Sequence, residues 1–187
     1  MKRVRGVFKQ NQYPYPLDEK TGSDLDELFS YLFSGNKTGE IDQSHIGVAI
    51  AAQNPRLALM LTQMSRFMAL ELPWCQRADL RELAIQTVNV HFRSDYSFNT
   101  RAKTALACGI SIEQQHAIAD YEQTNLFSPE QKLVIEYANA VVRGRVEDSL
   151  FARAKESFGE KAVVEMTSVI GLWSFWAMFL NATYAEL

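Results

Sequence analysis

The sequence is poor in the residues from which most reactive centres are built. Cysteine occurs twice in 187 residues, at Cys75 and Cys108. That separation excludes a CxxC redox or metal motif and leaves two free, buried thiols as the plain expectation. The three histidines, His45, His91 and His116, are scattered, and none has the carboxylate–histidine spacing of a ligand set, so no metal is expected. No phosphate loop or dinucleotide fingerprint is present, and no cofactor is expected. Positive charge is not in excess. Nineteen Lys and Arg against 22 Asp and Glu give a net charge of −3, which argues against a dedicated nucleic-acid partner. The basic start, Met1-Lys2-Arg3-Val4-Arg5, is not followed by an apolar signal region. No uninterrupted apolar run approaches the ~18 residues of a membrane span. The most apolar stretch, residues 169–182, is broken by Gly171, Ser174 and Asn181. A cytoplasmic protein without a membrane partner is expected.

What is present is helical punctuation. Apolar residues make up 47% and charged residues 22%, ordinary for a globular chain, and the length suits one domain. Residues 1–23 carry two prolines and no helical period and read as an extended arm, with Tyr13 and Tyr15 favouring its docking. Residues 24–187 read as one helical domain. Leu25, Leu28, Phe29 and Leu32 share one face of a helix over 24–33 that Gly35 ends. Residues 44–53 form a short helix. Asn54-Pro55 opens a longer one, rich in Leu and Met, that Pro73 closes. Its Met60, Met64 and Met68 fit an apolar packing face. Asp79 through Glu82 reads as a capping box opening a helix to about 92. Further helices run over 95–108, ended by Gly109; from Ser111; from the Ser128-Pro129 start to about 143, ended by Gly144; over 147–158; and over 160–184. No segment alternates with a period of two, so no sheet is expected.

The stretch 79–109 carries the most information. It contains Leu80-Arg81-Glu82-Leu83, then Ser94-Asp95-Tyr96-Ser97, then Ala105 through Gly109. This resembles the carboxymuconolactone decarboxylase/AhpD-like family, with its Leu-Arg-Glu-Leu helix start, its polar-x-Tyr turn and its Ala-x-x-x-Gly helix end. Asn54-Pro55, residues 127–138 and residues 171–182 extend the resemblance over roughly 45–185. It implies an all-α fold, an AhpD-like orthogonal bundle of about seven to eight helices, assembled as a homo-oligomer (trimer or hexamer). The family's reactive form carries Cys-x-x-Cys-x-x-x-His on its second helix with a glutamate on the preceding one. Positions i, i+3 and i+7 share a helical face, where neighbouring groups help to form the thiolate. The resemblance places these positions at Ser94, Ser97 and Arg101, with Glu82 the one member retained. A serine cannot cycle through a disulfide, so a CxxC peroxidase mechanism is not expected.

Each remaining polar residue has two readings. Glu82 either completes a capping box or is a site carboxylate acting as general acid or base. Arg101 either anchors a ligand carboxylate or phosphate in a bidentate fork, or pairs with Glu82. Tyr96 donates a phenol to a ligand or packs. Asn89 and Arg93 share the Glu82 face, which lines a cavity or faces water. His91 lies half a turn out of phase with Glu82 and is a satisfied core or interface residue unless the helix bends. Trp173, Phe175, Trp176 and Phe179 form a core or subunit-interface stripe. Candidate catalytic residues are therefore Glu82, Arg101 and Tyr96, with Ser94, Ser97, His91 and Asn89 as candidate small-molecule contacts. The expected function is a thiol-independent lyase or decarboxylase acting on a small organic acid or lactone. The alternative is a non-catalytic oligomeric ligand binder or scaffold with a degenerate site, and a peroxidase residual at Cys108 is a remote third.

Overall fold

The computed structural model describes residues 3–184. Among these residues there are nine α-helices and no strand, so the chain is all-α. The count exceeds the seven to eight that the family resemblance implies and equals the nine helices read from the residues, the two six-residue helices included. The helices are α1 (Glu19–Leu32), α2 (Ile46–Ala51), α3 (Pro55–Leu70), α4 (Ala78–His91), α5 (Asp95–Ala107), α6 (Ile112–Ala117), α7 (Pro129–Val142), α8 (Asp148–Phe158) and α9 (Glu160–Thr183). The chain separates into two compact units, Met1–Arg66 with Ala182–Leu187, and Phe67–Asn181.

In the first unit the arm is docked by its backbone. The Val7 N–H donates to the Ala49 carbonyl at 2.7 Å, the Ile41 N–H donates to the Phe8 carbonyl at 2.9 Å, and Val7 is fully buried. The Tyr13 hydroxyl reaches the Gln53 carbonyl at 3.4 Å, while Tyr15 stays exposed against the Tyr13 ring. α1 begins five residues before the expected 24, because Asp18 accepts the Thr21 N–H at 2.7 Å and caps it. Leu25, Leu28 and Phe29 are buried, as their spacing requires. The methionine face is covered only in part, with Met68 half-buried against the apolar cluster around α4. Met60 and Met64 on α3 are 53% and 45% exposed, as is Leu57 at 43%, and α3 turns Ala58 and Leu59 inward instead.

The second unit is built around α4. Every residue from Glu82 to Asn89 is buried, so this helix has no wet face over two turns. Leu80, Ala84, Ile85 and Val88 pack with Val134, Tyr137 and Ala138 of α7, Leu150 and Ala154 of α8, and Met166, Ile170 and Trp173 of α9. Leu83 points elsewhere, into a second cluster with Ala105, Ile110, Ile118, Phe127 and Ile135. Local chemistry sets the boundaries. Ser111 and Ser128 make reciprocal capping boxes with Gln114 and Gln131. Gly109 ends α5 at φ +93°, a conformation that glycine adopts without steric penalty. α9 is long and apolar enough to cross a membrane by length and composition, and more than half of its most apolar window is buried within the protein, as in a core helix.

Candidate functional site

The expected capping box at the start of α4 does not form. Arg77 is the N-cap residue and offers no side-chain cap, and Asp79 pairs with Arg77 instead. Glu82 is drawn away by stronger partners. Its carboxylate is wholly buried and accepts Arg101 Nε at 2.8 Å on one oxygen and Arg101 Nη2 at 2.9 Å on the other. Arg81 Nε donates to the second of these oxygens at 3.0 Å. A buried carboxylate needs charge-assisted partners of this kind, and a planar guanidinium supplies two parallel bonds. Arg101 leaves 27% of its side chain exposed and Arg81 12%. Arg101 is further placed by Trp173, whose ring centroid lies 5.1 Å below the guanidinium carbon.

Arg81 ties this cluster to the loop before α4. Its Nη1 donates to the Ala69 carbonyl at 2.7 Å and to the Cys75 carbonyl at 3.1 Å, and its Nη2 stands 4.0 Å from Cys108 Sγ. Both thiols are free. Cys75 is buried, and desolvation pushes its pKa up to about 11 despite the nearby Arg81 cation. It is an inert core residue, as expected. Cys108 is half-buried at the C-cap of α5.

Ser94 and Ser97 come together, with the Ser94 hydroxyl donating to Ser97 Oγ at 3.1 Å. Ser94 is buried, and its N–H donates to the Asn89 carbonyl at 2.9 Å. Tyr96 is half-buried between them. His91 is not part of the cluster. It is exposed at the end of α4, edge-on to Phe92, which corrects its core reading. Partial desolvation and then the Arg143 cation hold its pKa below the usual histidine value. The Glu82–Asn89 face does not meet water. It is filled by a chain of side-chain amides. Asn89 Nδ2 donates to Gln86 Oε1 at 2.8 Å, and Gln86 Nε2 donates to Gln115 Oε1 at 3.0 Å and to the Phe98 carbonyl at 3.2 Å. Gln115 Nε2 reaches the Ala102 carbonyl at 3.2 Å and the Ile110 carbonyl at 3.0 Å. Arg93, the outward end of that face, is exposed.

Three of these residues escape sequence reasoning to different degrees. Gln86 was findable, since it lies at i+4 from Glu82 on the same face. Arg81 was not, because adjacent helix residues point apart and only its long side chain brings it round. Gln115 carries no local signal. Chemically, the two carboxylate oxygens are committed to guanidinium donors, so a substrate proton has no approach to Glu82 unless an arginine moves. A cleft of about 610 Å³ opens elsewhere in this unit, between the turn at Tyr121 and α7, with Val90, Ile118, Asn139 and Arg143 in its lining. Among the described residues no cluster of His, Cys, Asp and Glu is arranged to hold a metal.

The chain is 39% identical over 85 residues to the uncharacterized protein YnjA of Escherichia coli (strain K12), a match covering 44% of this chain and 46% of that protein. The chain therefore spans about half the length of the curated relative it matches. No family model matches the sequence. No solved structure matches it.

Proposed function

We propose that this is a divergent carboxymuconolactone decarboxylase/AhpD-like protein whose reactive site has become a closed ion cluster, acting as an oligomeric ligand binder or scaffold and not as a catalyst. The observation that carries this reading is the fully buried Glu82 carboxylate with both oxygens taken by Arg81 and Arg101. A base sealed in this way is spent on structure. The descent is supported by Ser94 and Ser97. The resemblance aligns them with the family's paired cysteines, and their hydroxyls lie 3.1 Å apart, as side chains one helical turn apart would. Assembly with further copies, as a trimer or hexamer, is supported by Leu57, Met60 and Met64. These leave an apolar stripe of α3 exposed to solvent, and sedimentation of the purified protein as a monomer would remove that part of the proposal. A cytoplasmic location is supported by two thiols that stay unpaired.

The direct test is turnover. The purified protein, offered small lactones, carboxylic acids and an organic hydroperoxide, is expected to show no saturable reaction. Saturable turnover that disappears in Glu82→Gln would overturn the reading. One observation favours the runner-up, a thiol-independent enzyme on a small acid or lactone. Arg101 is the most exposed member of the cluster, and its rotation would free one face of the carboxylate. Under that reading Arg101→Ala changes KM for the acid more than kcat, because the arginine anchors substrate.

A further inference from the structure

α5 is attached to its unit in an unusual way. Of its thirteen residues only Ala105 is buried, and that residue contributes a single methyl to the second apolar cluster. Hydrophobic burial of one alanine supplies about 1 kcal/mol or less, far below what a thirteen-residue helix loses in backbone freedom. Beyond that, Phe98 rests half-buried and edge-on against His116, Arg101 stacks over Trp173, and polar contacts hold three points along its inner face. Gln86 clamps the Phe98 carbonyl, Glu82 receives the Arg101 fork, and Gln115 clamps the Ala102 carbonyl. These residues, with Ala105, stand at i, i+3, i+4 and i+7 and form one stripe.

Both ends of this helix pass through left-handed backbone. Arg93 precedes it at φ +50°, a conformation that a residue with a Cβ rarely adopts, and Gly109 follows it at φ +93°. Arg93 therefore stores local strain that is relieved when the segment moves, and Gly109 turns without penalty. Large changes of φ and ψ at a few element-terminal residues are what hinges consist of. By contrast, α4 beneath it is buried on every side.

We propose that α5 is a hinged flap, lifting as a unit about Arg93–Ser94 and Cys108–Gly109 and uncovering the buried polar row Glu82–Gln86 to solvent. This goes beyond the function proposed above and does not rest on it, since a flap of this kind serves a binder or an enzyme equally. Water can replace each of the three clamps once the helix lifts, whereas nothing replaces the apolar contacts of α4. The opening therefore requires far less free energy than unfolding the unit. Arg101 and Gln115 act as latches, and Gly109 as the free hinge.

Hydrogen exchange of the full chain, read by mass spectrometry on peptides from 95–107 and from 80–91, tests this. In the wild-type protein the 95–107 amides are expected to exchange at least about a hundredfold faster than those of 80–91. Arg101→Ala is expected to speed the 95–107 amides by a further tenfold or so and leave the rates of the 80–91 amides nearly unchanged, because Arg81 still pairs with Glu82 and only the latch is lost. If that variant fails to fold, Gln115→Met provides a second readout, removing the clamp on the Ala102 carbonyl together with the bonds to Gln86 and to the Ile110 carbonyl. Equal rates for the two peptides in the wild-type protein would overturn the flap. So would a variant that accelerates both peptides by the same factor, since α5 would then open only with global unfolding.

Discussion

α4 and α5 follow one another in the chain, separated by Phe92, Arg93 and Ser94, yet they are held by opposite means. α4 is surrounded, with eight consecutive residues from Glu82 to Asn89 removed from water, and its apolar members reach three other helices. α5 lies on top of it and buries one alanine. The difference shows how polar residues come to be inside a small helical unit. The carboxylate and amides of α4 could face water only by turning Leu83 or Ile85 outward, so they are buried with the rest and matched from above. α5 supplies that match through the Arg101 guanidinium and the Phe98 carbonyl, while its Ala102 carbonyl is held by Gln115 of α6. The polar row thus adds to the hold on a helix that buries little apolar surface of its own.

If this contrast is right, removing the carboxylate has the largest effect. Glu82→Ala leaves two guanidiniums facing a cavity and is expected to cost about 4 kcal/mol, since stripping one partner from a buried ion cluster strands the other. A loss under about 1 kcal/mol in urea titration would mean that the triad contributes nothing net. Next comes the apolar side of α4. Leu83→Ala empties the second cluster and is expected to cost about 3 kcal/mol, with both helices destabilised together because Ala105 rests there. Arg101→Lys keeps the charge but loses the fork, for about 1–2 kcal/mol, and a thermal shift equal to that of Glu82→Ala would show that charge was never the issue.

The smallest effect at neutral pH comes from Cys75, and it sharpens the contrast from outside the polar row. Burial raises this thiol's pKa to about 11 from its ordinary 9.0. The folded state therefore favours the protonated thiol. The associated stability is fully present below pH 9 and is lost as pH climbs through 11. Cys75→Ala is expected to flatten that alkaline decline, and denaturation midpoints measured from pH 8 to 11 in both proteins would reveal it.

The parts of the fold that rest on local chemistry were legible in the sequence. Ser128-Pro129 opens α7, Gly109 ends α5, and Gly144 follows α7 at φ +79°, because capping and left-handed glycine involve only a few neighbouring residues. What failed was decided at long range. Asp79 through Glu82 has the letters of a capping box, but a guanidinium nineteen residues away binds Glu82 more strongly than a backbone amide could. One difference is local: α1 starts early because Asp18 accepts the Thr21 N–H three residues on, a cap that precedes the apolar spacing. The Glu82–Arg101 pairing was one of two open readings and is the one that formed. The amide chain through Gln115 was invisible, since it depends on how α6 packs. Met60 and Met64 stay exposed on the apolar face that their spacing marks, since spacing does not say what covers such a face.

The Arg101 guanidinium stacked over Trp173 gives the protein a built-in optical probe. An excited indole is sensitive to a cation held above its ring, so its emission reports whether that cation is present. With Trp74 and Trp176 replaced by phenylalanine, the single remaining indole would reveal displacement of α5 in a stopped-flow fluorimeter, with no dye attached and on the millisecond scale where such motions fall.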